Sequence, residues 1–182
     1  MKFEQYFKNY NKSIFDLLND VDTSLIEQSV SLINNCNQNN GKVFIVGNGG
    51  SSSIASHVSV DLAKAANIKS DTFNNSNLIT CFANDYDYEN WVEEAIKAYL
   101  QKNDMLILIS SSGTSKNIVN AAKYCREKNI PLITLSGFKE NNPLSDYGNV
   151  NIYIKSENYN FIEMSHHIIL VSIVDLFVKK LV

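Results

Sequence analysis

The stretch "ILISSSGTSKNI", residues 107–118, decides how the rest of the chain is read. A continuous apolar run halts on three serines and a glycine, and residues at helical spacing take over. An apolar run bounded by turn residues fits a strand buried on both faces, as in a parallel sheet. The loop after it would then sit at a helix start, where unpaired amides carry about half a positive charge and favour an anion. Hydroxyls of Ser110, Ser112 and Ser115 would complete such a shell without any lysine or arginine. A single serine is enough to cap a helix. Five hydroxyl residues around Gly113 exceed that need, so a phosphate or similar anion is the expected ligand.

The same grammar recurs upstream in "KVFIVGNGGSSSIASH", residues 42–57: an apolar strand, a loop of glycines and serines, then a helix. That loop has neither the full GxGxxG spacing nor a following GK[ST], and no dependable ribose-binding acid follows it, so no nucleotide cofactor is expected. Residues 1–40 read as two helices, with Phe3, Phe7, Tyr10, Ile14, Leu17 and Leu18 and then Leu25, Ile26, Val30 and Ile33 at helical spacing. A second short apolar segment, "NLITCF", precedes "ANDYDYE" and a helix around "WVEEAIKAYL". "IPLITLS" and "NVNIYI" are further strands, and a long helix runs from about Tyr159 to Leu181. Buried strands alternating with helices predict an α/β sandwich around a parallel sheet, with both unusual loops along one edge.

Composition narrows the function. The 182 residues suit one domain. The net charge of −3, a single arginine (Arg126) and fifteen scattered lysines give no nucleic-acid footprint. Cys36, Cys81 and Cys125 are odd in number and lack metal-site spacing, which reads as reduced, mostly structural thiols. The first residues lack the apolar core of a signal peptide. "IILVSIVDLFV" is broken by Ser172 and Asp175 and is shorter than the roughly 20 apolar residues a bilayer requires. A cytoplasmic protein with no membrane partner is the expectation.

All three histidines fall in two helices. His57 and Asp61 are four apart in the helix after the first loop, as are Glu163 and His167 in the last helix, with His166 beside them. Residues four apart share a helix face. Two such imidazole–carboxylate pairs, if they converge, could act as general acids and bases or hold a metal. A lone pair of this kind is more often a surface hydrogen bond, and one of the two adjacent histidines must pack elsewhere.

Taken together, "GNGGSSSIASH", "FANDYDYE" and "ISSSGTSKNI" resemble, in order and spacing, the sugar isomerase (SIS) domain family, and within it the phosphoheptose isomerases, over nearly the whole chain. The resemblance implies a three-layer α/β sandwich of SIS type. It would form a single domain over 1–182, with 1–40 a helical oligomerisation segment and 41–182 the sugar-phosphate-binding core. It implies a homotetramer with sites between subunits, and conversion of sedoheptulose 7-phosphate to a glycero-manno-heptose 7-phosphate destined for capsule or lipopolysaccharide. Substrate contacts carry over onto Asn48, Gly49, Gly50, Ser51, Asn84 and Asp85, and phosphate contacts onto Ser110, Ser111, Ser112 and Ser115.

The catalytic positions depart from the family pattern. The family's histidine is kept as His57, but its glutamate is Asp61, shorter by one methylene. Its glutamine is Glu163, its later catalytic histidine is Val171, and an arginine position is Ala65. Zinc, which the family often holds, would fall to His57, Asp61 and Glu163. Because His167 lies one turn before Val171, the reading predicts a shifted catalytic set of His57, Asp61, Glu163 and His167. The alternative is a phosphosugar sensor or tetrameric scaffold without catalysis, as other SIS domains are.

Overall fold

The computed structural model describes residues 2–182. Its sheet has five parallel strands in the order β2-β1-β3-β4-β5, formed by Val43–Gly47 (β1), Ser70–Asp71 (β2), Met105–Ser110 (β3), Leu132–Ser136 (β4) and Val150–Tyr153 (β5). The helices are Phe3–Asn19 (α1), Thr23–Gln38 (α2), Gly50–Lys64 (α3), Ser76–Tyr86 (α4), Trp91–Tyr99 (α5), Lys116–Glu127 (α6) and Tyr159–Val178 (α7).

Strand alternation divides the core into two layers. Val43, Ile45, Met105, Ile107 and Ile109 face α2, α3 and α7, where Val30, Ile33, Ile54, Val58, Leu62, Leu170 and Ile173 are buried. Phe44, Val46, Leu106 and Leu108 face the other way, onto Trp91 and Ile96 of α5 and Ile118 and Ala122 of α6. Every residue of β1, β3 and β4 is buried, as the apolar runs predict.

Two segments differ from the sequence reading. β2 is two residues long, too short to leave an alternating pattern, and it holds the sheet edge through pairing with β1. "NLITCF" lies within α4, because Leu78, Ile79 and Phe82 fall on one helical face and pack against the α5–α6 layer. The last helix ends at Val178, before Lys180 takes a left-handed φ of 54°.

At 20 residues α7 is long and apolar enough to cross a membrane by length and composition, which corrects the view that the segment is too short. In this fold that apolarity is used for packing: Ile162, Ile169, Leu170, Ile173 and Val174 are buried. Cys36 and Cys125 are buried, and burial pushes their thiols up to about 11 and about 12, as befits structural cysteines; Cys81 is exposed.

His166 is the histidine that packs. It is fully buried, with Nε2 3.1 Å from the Ser136 carbonyl oxygen. Burial lowers its pKa from 6.5 to about 4, against the opposing pull of that hydrogen bond. Between those values the unfolded chain takes up a proton that the folded chain refuses. Stability is therefore complete above about pH 6.5 and declines as pH falls towards 4, by roughly 3 kcal/mol from this group. Urea unfolding at pH 7.5 and pH 4.5 should show that loss. It should be smaller in His166→Gln, which keeps a donor for Ser136.

Candidate active site

The strand order reverses between β1 and β3, where open α/β sheets place their ligands at the carboxyl ends of the strands. Both unusual loops leave the sheet there, Gly47 and Ile109 being register partners. They enclose a cavity of about 210 Å³ lined by Asn48, Gly49, Gly50 and Ser51 from one side and Ser110, Ser111, Ser112 and Ser115 from the other. Tyr159 and Glu163 of α7 close it, and no lysine or arginine lines it.

Two helices aim their N-termini into this cavity. The residue before α3 is Gly49, at φ 53°, and neither it nor Ser115 before α6 caps its helix with a side chain. Ser115 instead accepts a hydrogen bond from the Ser110 hydroxyl at 3.1 Å. Capping alone therefore does not account for the serines. Among the described residues the first two amides of each helix, Gly50 and Ser51 of α3 and Lys116 and Asn117 of α6, are left without a backbone partner, while the next amides, of Ser52 and Ile118, donate to Gly49 O and Ser115 O. Ser111 is 6% exposed, and its hydroxyl finds no hydrogen-bond partner among the described residues. A buried hydroxyl without a partner is costly unless a ligand completes it. Ser112 holds the turn by accepting from the Thr114 amide and hydroxyl, at 3.3 and 3.0 Å.

The loops are fixed to each other by a contact that sequence spacing does not announce. Asn48 and Asn117, 69 residues apart, exchange two amide hydrogen bonds of 2.9 Å, and the Tyr88 hydroxyl donates to Asn48 Oδ1 at 3.3 Å. Asn117, Tyr88 and Tyr159 were invisible to motif reading for that reason. Asn84 and Asp85 lie exposed on α4, bonded to each other, and do not line the cavity.

Glu163 reaches the cavity through the absence of a side chain opposite it: a Cβ on Gly50 would overlap its carboxylate. The carboxylate thus sits at the positive N-terminus of α3, leaving that of α6 for the ligand. His57, Asp61 and His167 form a separate cluster farther along the contact of α3 with α7. His57 Nε2 is 3.1 Å from Asp61 Oδ2, and His57 Nδ1 is 2.7 Å from His167 Nε2. Burial, then the neighbouring His57, push the His167 pKa below its ordinary value, with Asp61 pulling the other way. The four residues expected to make one site are therefore divided, Glu163 in the cavity and the other three beside it. Val171 packs against the core.

The expected zinc set of His57, Asp61 and Glu163 does not fit. Among the described residues no three His, Cys, Asp or Glu side chains are placed to share an ion, and both ring nitrogens of His57 already face other side chains.

Comparison with known proteins places this geometry in context. The SIS domain family profile matches residues 5–137. A phosphoheptose isomerase of Helicobacter pylori (strain P12) is 34% identical over 134 residues, 67% of this chain and 68% of the relative. Phosphoheptose isomerase 2 of Campylobacter jejuni is 35% identical over 138 residues, 66% of this chain and 68% of the relative. The solved structure of a phosphoheptose isomerase from Francisella tularensis superposes with a TM-score of 0.86, covering 97% of this chain and 98% of that one at 23% identity, a likeness of fold.

Proposed function

The chain belongs to the SIS domain family and to its phosphoheptose isomerases, and from that membership we propose that it interconverts sedoheptulose 7-phosphate and D-glycero-D-manno-heptose 7-phosphate in the cavity between β1 and β3. The observation that carries this reading is a cavity joining two uncapped helix N-termini to a single carboxylate, Glu163.

The phosphate binds at the α6 end, held by first-turn amides and by the hydroxyls of Ser110, Ser111, Ser112 and Ser115, with the Asn48 loop closing over it. Anchoring at that remote group positions the reacting carbons. Glu163 is the base that takes a proton from the carbon beside the carbonyl and returns it to the neighbouring carbon of the enediol. Tyr159 and the serine loop wall off this proton from water.

The same reading gives α1 and α2 to self-association. Support comes from Phe3, Phe7 and Phe15, large aromatic side chains left exposed on α1, Phe3 at 82%. It also comes from Asn84 and Asp85, whose exposed position suits them to complete a neighbouring copy's site in a tetramer.

Incubation with sedoheptulose 7-phosphate is expected to produce new aldose anomeric signals in proton NMR. Saturable binding with no conversion would select the sensor or scaffold reading, which the loss of a histidine at Val171 favours. No binding would remove the substrate assignment.

A further inference from the structure

The His57 cluster is held by one hydrogen bond, between the two imidazole rings, and by the ion-pair contact of His57 with Asp61. A contact of 2.7 Å between two ring nitrogens requires a proton on one and a lone pair on the other. The carboxylate oxygen of Asp61 lies 3.1 Å from His57 Nε2, a contact that favours a hydrogen on that nitrogen. In a neutral ring Nδ1 is then the acceptor, and His167 must donate from Nε2. That leaves His167 Nδ1 as the position of the cluster with no partner among the described residues. The rings cross at 85° with centroids 4.9 Å apart, so neither stacks on the other and the contact is edge-on.

The cluster lies one helical turn along α7 from Glu163, the residue that closes the cavity. His167 follows Glu163 by four residues on α7, a rise of about 6 Å, and His57 follows Gly50 by seven on α3, about 10 Å.

Resting on the isomerase reading, we propose that the sugar, held at the serine loop, extends past Glu163 to His167, and that Asp61, His57 and His167 form a relay that does without a metal, in which Asp61 and His57 are positioning residues and His167 Nδ1 handles the oxygen-bound proton. The balance closes within the substrate. In the ketose-to-aldose direction C1–H and O1–H break while C2–H and O2–H form. The carbon-bound proton passes by way of Glu163 and the oxygen-bound one by way of His167, and both groups return to their starting state. The disagreement between this donor set and a zinc site is what the relay explains: each nitrogen that an ion would need on His57 is already used.

Asp61→Ala tests it. His57 and Asp61 are half- and one-third-exposed, at 52% and 37%, so the variant should fold. In wild-type protein with nitrogen-15-labelled histidine, long-range NMR should show His57 and His167 each as a single tautomer with hydrogen on Nε2. In Asp61→Ala the His57 tautomers should mix, and kcat should fall roughly tenfold with KM little changed. Purified protein should hold no stoichiometric zinc, and added zinc should leave these nitrogen signals in place. Zinc at one equivalent that moves both histidines' nitrogen signals would overturn the relay. So would mixed tautomers in the wild type with turnover intact, or an Asp61→Ala variant that keeps both tautomers and kcat. Ordered tautomers with no turnover of any heptose phosphate would instead overturn the isomerase reading, and with it the relay's use.

Discussion

Replacing Glu163 by glutamine is expected to lower kcat by roughly 10²- to 10⁴-fold, the span over which a positioned base contributes to proton transfer. KM should stay within a few-fold and the fold should be retained. Glutamine has the size of glutamate, so the packing opposite Gly50 survives and only the ability to take a proton is lost. Glutamine is also the residue that the phosphoheptose isomerase pattern carries at this position, which makes it sterically acceptable. The comparison therefore isolates charge from shape. In this chain the Glu163 carboxylate lines the anion cavity while Val171, one of the positions where the family pattern has a histidine, packs against the core. An unaltered kcat would rule out Glu163 as the base.

Ser111→Ala should separate binding from stability. The Ser111 hydroxyl is buried without a partner, so removing it should leave the unliganded protein as stable or slightly more so. In the proposed complex the same hydroxyl would donate to a phosphate oxygen, and hydrogen bonds to charged groups contribute about 1.5–3 kcal/mol. KM should rise by roughly 10- to 100-fold at nearly constant kcat, because the lost contact is present in ground and transition states alike. Thermal unfolding and steady-state kinetics on one preparation give both readouts. A lowered melting temperature with unchanged KM would mean that Ser111 serves the loop and not the ligand.

The parts of this molecule that were legible in its sequence are those written in local pattern. β1 and β3 announce themselves because both faces are buried and neither strand can tolerate a polar residue until it ends. The two loops stand out because backbone amides approach a ligand closely only where glycine and serine replace bulk. β2 was hidden by its two-residue length, and α4 by an apolar segment too short to reveal its period without tertiary contact. The site's cross-links were hidden for a different reason. Asn48 and Asn117 meet only because β1 and β3 are neighbours in the sheet, and nothing in either segment alone points to the other.

The placement of Glu163 and His167 shows how far helical spacing can be pressed. Residues four apart share a face, yet they are displaced by about 6 Å along the axis, enough to put one in the cavity and the other in contact with His57. Spacing identified the right residues and could not tell that they serve different points. Likewise the shared turn of His166 and His167 reads as two equal candidates, while the packing of α7 on the sheet buries one completely and leaves the other facing α3.

In the proposed reaction the serine-loop cavity holds a heptose phosphate over Glu163, which moves a carbon-bound proton. The most direct test is proton NMR of sedoheptulose 7-phosphate in D2O with wild-type and Glu163→Gln protein. The wild type is expected to give an aldose product carrying deuterium at C2 to the extent that Glu163 exchanges with solvent, and the variant to bind while forming product and exchanging more slowly. Equal rates of conversion by the two proteins would contradict it.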